Sequence, residues 1–118
     1  DGATQRLPRI IGKSKSVEMM LSGEIITSEQ AIKLGLINYM VSQSEIETST
    51  AKLITKLESL APIALRYVKE AVKEGFDMNI RQGFLFESDL SILLHSTDDR
   101  KIGLDSFKTK EPPNFIGE

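Results

Sequence analysis

The chain is expected to be mainly α-helical, with at most one short strand, and three observations predict this. Apolar residues recur at three- and four-residue spacing through most of its length. Several of the segments between them carry the residues that start and stop helices, Ser, Thr or Pro before a run and Gly or Pro after it. Only Leu36 to Val41, apolar at most positions, suits a short strand or an extended segment.

The first stretch, Asp1-Gly2-Ala3-Thr4, is a Gly turn feeding a helix, with Thr4 placed as an N-cap. Turns of this kind expose N–H groups that suit an anion or a polarised carbonyl and usually complete a site begun upstream. The chain is therefore expected to be the back part of something longer. From Arg6 to Gly23, Leu7, Ile10 and Ile11, then Val17, Met19, Met20 and Leu21, predict helix, a break at Gly12-Lys13-Ser14, and helix again. Ser14 or Ser16 is expected to cap the second piece, and Gly23 to end it in a left-handed turn. Glu24-Ile25-Ile26 is a short extended link. Thr27-Ser28-Glu29-Gln30 then spells a capping box, and the helix it starts, with Ala31, Ile32 and Leu34 inward, stops at Gly35.

Ser42 to Thr50 reads as a polar connection. Leu53, Ile54, Leu57 and Leu60 give the next helix its apolar stripe, with Lys52, Lys56 and Glu58 outside. Pro62 sits at a first turn, where its missing N–H costs nothing. In the helix it opens, Leu65, Val68, Ala71 and Val72 are expected inward, Arg66, Lys69, Glu70 and Lys73 outward, and Gly75 ends it. After a loop through Asn79, the segment from Ile80 to Leu94 is apolar nearly all round. So small a domain has few places to bury such a helix, which predicts a subunit interface or a ligand tunnel. Ser96-Thr97-Asp98-Asp99 starts a last short helix with Ile102, Leu104 and Phe107, and Pro112-Pro113 forbids its continuation.

The totals exclude several functions. One domain is the natural count for 118 residues, and a net charge of −2 argues against a general affinity for nucleic acid or acidic membranes. There is no cysteine, hence no disulfide frame and no thiolate chemistry. No apolar run approaches the length of a membrane span.

Several of these stretches, taken together in order, resemble the crotonase (enoyl-CoA hydratase/isomerase) superfamily. They are Gly2-x-Thr4-Gln5-Arg6-Leu7-Pro8-Arg9, Gly12-Lys13-Ser14, Glu18 to Ile26, and Ala31 to Ile37. Ser96 to Arg100, Gly103-Leu104, Phe107-x-x-Lys110 and a Pro-x-Phe-x-Gly close follow. The resemblance implies the C-terminal helical (trimerisation) region of the crotonase/ClpP-like α/β spiral fold. Residues 1–23 would close the spiral core and its following helix, and 24–118 would form the oligomerisation region. It further implies a parent that hydrates trans-2-enoyl-CoA in acyl-CoA metabolism, with the CoA thioester as substrate rather than cofactor. Trimers or dimers of trimers are implied, in the cytoplasm of a bacterium or the mitochondrion of a eukaryote. An isomerase or dehydratase of the same superfamily, and a non-catalytic oligomerisation module, are the competing readings.

Hydration of an enoyl thioester needs an acid and a base at one water and donors aimed at the developing enolate oxygen. The family's two glutamates and its oxyanion hole map before Asp1, so no catalytic residue is expected in this chain. The residue that the resemblance singles out is Lys110, where relatives carry a lysine reaching a phosphate of CoA on a neighbouring subunit. Glu111, at a position often basic in hydratases, weakens that match. Some isomerases and dehalogenases use an aspartate near Asp1, but the Thr4-Gln5 register puts it one residue earlier, so Asp1 is read as a turn residue. His95, the only histidine, has no partner at ligand spacing and is expected in the core or an interface, not on a metal. Relatives carry aromatic residues at the positions of Ser91 and His95. Arg6 and Arg9 are expected to anchor the first turn by pairing with carboxylates. Met19, Met20 and Met78 are read as packing, and Lys69 and Lys73, interleaved with Glu70 and Glu74, as a solvated face.

Overall fold

The computed structural model describes all 118 residues as seven α-helices and one 3₁₀ turn, with no strand. The helices are α1 (Ala3–Ile11), α2 (Lys13–Ser22), α3 (Ser28–Lys33), α4 (Ile46–Glu58), α5 (Pro62–Gly75), α6 (Ile80–Leu94) and α7 (Asp98–Thr109). They form two compact units, Asp1–Ser49 and Thr50–Glu118, with the boundary inside α4. This division reflects packing within the chain. The expected division at residue 23 concerned a larger fold and is a separate matter.

In the first unit α1 packs on α2. Gly23 ends α2 with φ 66°, as expected. Gly2, not Thr4, is the N-cap of α1, and the start of α2 also differs from expectation. Gly12 is its N-cap, without a side-chain cap bond. Ser16 is wholly buried, and its hydroxyl donates back to the Gly12 carbonyl at 2.7 Å. A small hydroxyl here lets two helices joined by a single residue approach closely, and the bond satisfies it without water. Arg6 donates to the Asp1 carbonyl across the Gly2 turn, and Arg9 donates to the Gln5 carbonyl one turn back in α1 at 2.8 Å. Lys15 bonds Glu18 at 3.1 Å and approaches Glu24 at 3.6 Å, and the hydrogen bond to Glu18 raises its pKa.

The capping box at Thr27 is present in both directions. Gln30 N–H donates to the Thr27 hydroxyl at 3.3 Å, and Thr27 N–H donates to Gln30 Oε1 at 2.7 Å. α3 closes in a Schellman motif, with Leu36 N–H on the Ala31 carbonyl and Gly35 N–H on that of Ile32, both at 2.9 Å. The motif needs a left-handed residue at position 35, and Gly35 supplies it with φ 71°. Residues 36–41 then find no partner strand and stay extended or turning.

The connection expected from Ser42 to Thr50 is mostly helical: a 3₁₀ turn, Gln43–Glu45, runs straight into α4. Ser42 is the reason. Its hydroxyl donates to Glu45 Oε2 at 2.6 Å and its N–H to the same oxygen at 3.3 Å, so a polar stretch starts a helix instead of a loop. These bonds hold the Glu45 carboxyl below the ordinary 4.5. A carboxyl depressed on folding adds stability above its unfolded pKa, and that stability is lost as pH falls through the folded value. Ser42→Ala is therefore expected to move the Glu45 carboxyl upward, read by side-chain NMR against pH. An unchanged titration would mean that the pair does not form.

In the second unit α5 packs on α6. Leu90 of α6 is the buried apolar residue of this unit, as Ala31 is of the first. Asn79 caps α6 by accepting the Gln82 N–H at 3.1 Å. Val68 and Val72, expected inward, are 62% and 67% exposed. The periodicity of α5 is real, but α6 covers only part of its apolar face. On α6 itself Ile80, Phe84, Leu85, Ile92 and Leu93 are all more than half exposed.

Candidate functional site

Two concavities of the second unit are lined by residues of α5, α6 and α7. The first is an open groove of about 420 Å³ running between α5 and α6, floored by Ala71, Gly75, Gly83 and Leu90 and walled by Val68, Val72, Phe76 and Phe84. Gly83 lies against the end of α5: a Cβ there would meet the Gly75 carbonyl oxygen at 3.7 Å, an ordinary contact. Glu87 and Ser91 are the polar residues of α6 along it. It is an apolar seat with no paired acid and base.

The second, about 400 Å³ and also open to solvent, is bordered by the start of α5, the end of α6, α7 and the C-terminal segment. Ala61, Ala64 and Gly103 make it roomy, Phe115 forms a wall, and Ser91, His95 and Arg100 face it. Ser91 and His95 are thus brought together here. His95 is exposed at the C-cap of α6, which corrects its placement in the core of this chain. Nowhere do three His, Cys, Asp or Glu residues converge as metal ligands would.

The polar centre beside this cavity is Asp99, which sequence reasoning treated only as part of a capping run. It is 3% exposed. Thr97 is the N-cap of α7, accepting the Arg100 N–H at 3.3 Å, and leaves Asp99 free to face inward. The Asp99 carboxylate accepts the Ile116 N–H at 2.7 Å and the Gly117 N–H at 3.1 Å. In return the Asp98 and Asp99 N–H groups donate to the Glu118 main-chain oxygen at 2.7 and 3.2 Å. A buried carboxylate is tolerable because backbone donors surround it.

Lys110 is the C-cap of α7 and has φ 64°, the one non-glycine residue with positive φ. Its ammonium stands 4.3 Å from the centre of the Phe107 ring, a cation–π contact that leaves the charge exposed to solvent. Asp1 is exposed at the Gly2 turn.

The sequence of residues 1–118 matches, end to end, the family described as enoyl-CoA hydratase/isomerase. The chain belongs to that family. A short-chain-enoyl-CoA hydratase of Clostridioides difficile is 37% identical over 107 residues, 91% of this chain and 69% of that protein. A probable mitochondrial enoyl-CoA hydratase of Dictyostelium discoideum is 34% identical over 114 residues, 97% of this chain but 41% of the relative. Among solved structures, the enoyl-CoA hydratase of Bacillus anthracis superposes with a TM-score of 0.96 at 34% identity, covering 99% of this chain and 45% of that one. The chain thus spans less than half the length of most of these relatives, and it aligns with their C-terminal part. Its helices are those of a crotonase-fold C-terminal region, as the resemblance implied.

Proposed function

We propose that this chain is the C-terminal part of an enoyl-CoA hydratase, contributing assembly surface and one end of the acyl-CoA site. The observation that carries the reading is the family match over all 118 residues, with relatives named as hydratases at 31–37% identity. In this reading acid, base and oxyanion donors come from the portion that the relatives have and this chain does not span. Residues 1–23 close the spiral, and the apolar groove and outer face of α6 are covered in a homotrimer or a dimer of trimers. The substrate is a trans-2-enoyl-CoA. The test is a hydration assay on crotonyl-CoA with the full-length protein carrying this segment. Formation of 3-hydroxybutyryl-CoA supports the reading. Conversion of 3-butenoyl-CoA to crotonyl-CoA without hydration would make the parent an isomerase, and neither reaction would leave a binding module.

Lys110 is the phosphate contact of this proposal. A lone exposed ammonium acts on phosphate as a screened point charge. Lys110→Ala is expected to raise KM for crotonyl-CoA about 5-fold, the equivalent of ~1 kcal/mol, with kcat unchanged. The effect should shrink as salt is added.

A further inference from the structure

We infer that residues 111–118 form a strap fastened along one stripe of α7, and that Asp99, through this strap, is a positioning residue for Lys110. The inference rests on the acyl-CoA reading only for its kinetic consequence.

The stripe is Asp99, Gly103, Ser106 and Lys110. Steps of four, three and four residues keep these positions on one face of a helix. At Lys110 the chain reverses, and it returns along that same face. Next to the reversal, the Ser106 hydroxyl donates to the Glu111 carbonyl at 2.6 Å. One turn back, the Phe115 ring lies over Gly103, with its Cε1 3.6 Å from where a Cβ would stand. At the far end, Asp99 takes the Ile116 and Gly117 N–H groups. Gly117 also lies against Pro62, at 3.5 Å from its Cγ by the same measure, so the strap ties α7 to the start of α5.

The strap has no regular structure of its own. Its docking therefore depends on a few attachments, of which Asp99 is the buried one. Lys110 explains why this matters. A lysine in the left-handed region is strained by its Cβ and relaxes unless both neighbours are held. On one side the Lys110 N–H is bound to the Ser106 carbonyl at 2.8 Å. On the other side Glu111 is held by its N–H on the Thr109 hydroxyl at 3.4 Å and by the Ser106 hydroxyl on its carbonyl, beyond which only the strap follows. Releasing the strap at Asp99 lets residue 110 leave this conformation and carries its ammonium away from Phe107.

The test uses the full-length protein. Asp99→Asn keeps the size of the side chain but turns one acceptor into an amide that opposes the Gly117 N–H. Three results are expected: loss of hydrogen-exchange protection at Ile116 and Gly117, a shift of the Lys110 backbone resonances, and a KM for crotonyl-CoA raised about 5-fold at constant kcat. Because Asp99 acts through Lys110, D99N added to K110A should raise KM no further than K110A does. Multiplying effects, or lost protection with unmoved Lys110 resonances, would overturn the inference. If D99N fails to fold, Ser106→Ala cuts the strap at its other end, and the same resonances decide. If K110A leaves KM unchanged, the phosphate reading falls, while the Lys110 resonances in D99N still settle the strap.

Discussion

The proposed assembly through α6 predicts that replacing Leu85 and Ile92 together by glutamate leaves a 13.1 kDa monomer in sedimentation. The chain presents 9690 Å² to solvent, whereas two separate globules of the same total mass would present about 7,700 Å². An excess of about 2,000 Å² is more than the ~800 Å² per partner of a stable interface. Five exposed large apolar residues sit on α6, where Ile80 and Phe84 line the groove with α5 while Leu85 and Ile92 lie seven residues apart on another face. Burying one such side chain contributes about 2 kcal/mol, so two charges in their place should weaken association by about a thousandfold. A wild-type chain that stays a monomer at high concentration would refute the interface. Association unchanged in the double variant would move it off this face of α6.

The elements of this fold were legible because each is written locally. Thr27 and Gln30 are three residues apart, and their bonds follow from the capping box alone. The same holds for the glycines ending α2 and α3, and for Pro62 at the start of α5. Which apolar face is covered was not legible. Val68 and Val72 have the right period and are still exposed, because the period specifies a stripe and not what packs on it. The site fared worse for a related reason. Asp99 meets its partners 17 and 18 residues away, and no short-range pattern announces such a pair. Both halves stood out in the sequence, the Asp98-Asp99 run and the Pro-x-Phe-x-Gly close, but nothing there joined them. Ser42 misled in the opposite sense. A polar stretch looks like a loop until one notes that Ser42 and Glu45 have capping-box spacing.

Asp99→Ala is expected to cost about 3 kcal/mol, read as a lower urea midpoint at unchanged slope. The carboxylate is buried, and its removal leaves the Ile116 and Gly117 N–H groups without their acceptor. Hydrogen bonds to a charged acceptor contribute about 1.5–3 kcal/mol each, and two lost together would exceed 3 if the donors stayed buried. They need not stay: a strap of eight residues can peel into water, which rehydrates the amides but gives up the Phe115 contact over Gly103. The two routes bound the loss from above and below. Gly103→Ala offers the contrary sign at the same place. Gly103 lies inside α7, where Ala is better than Gly by about 1 kcal/mol, and the new methyl would meet the Phe115 ring at an ordinary 3.6 Å. A docked strap therefore predicts a loss at Asp99 beside a gain at Gly103. If both substitutions proved neutral, the strap would not be held as described, and only bonds within the last turn of α7 would keep Lys110 left-handed.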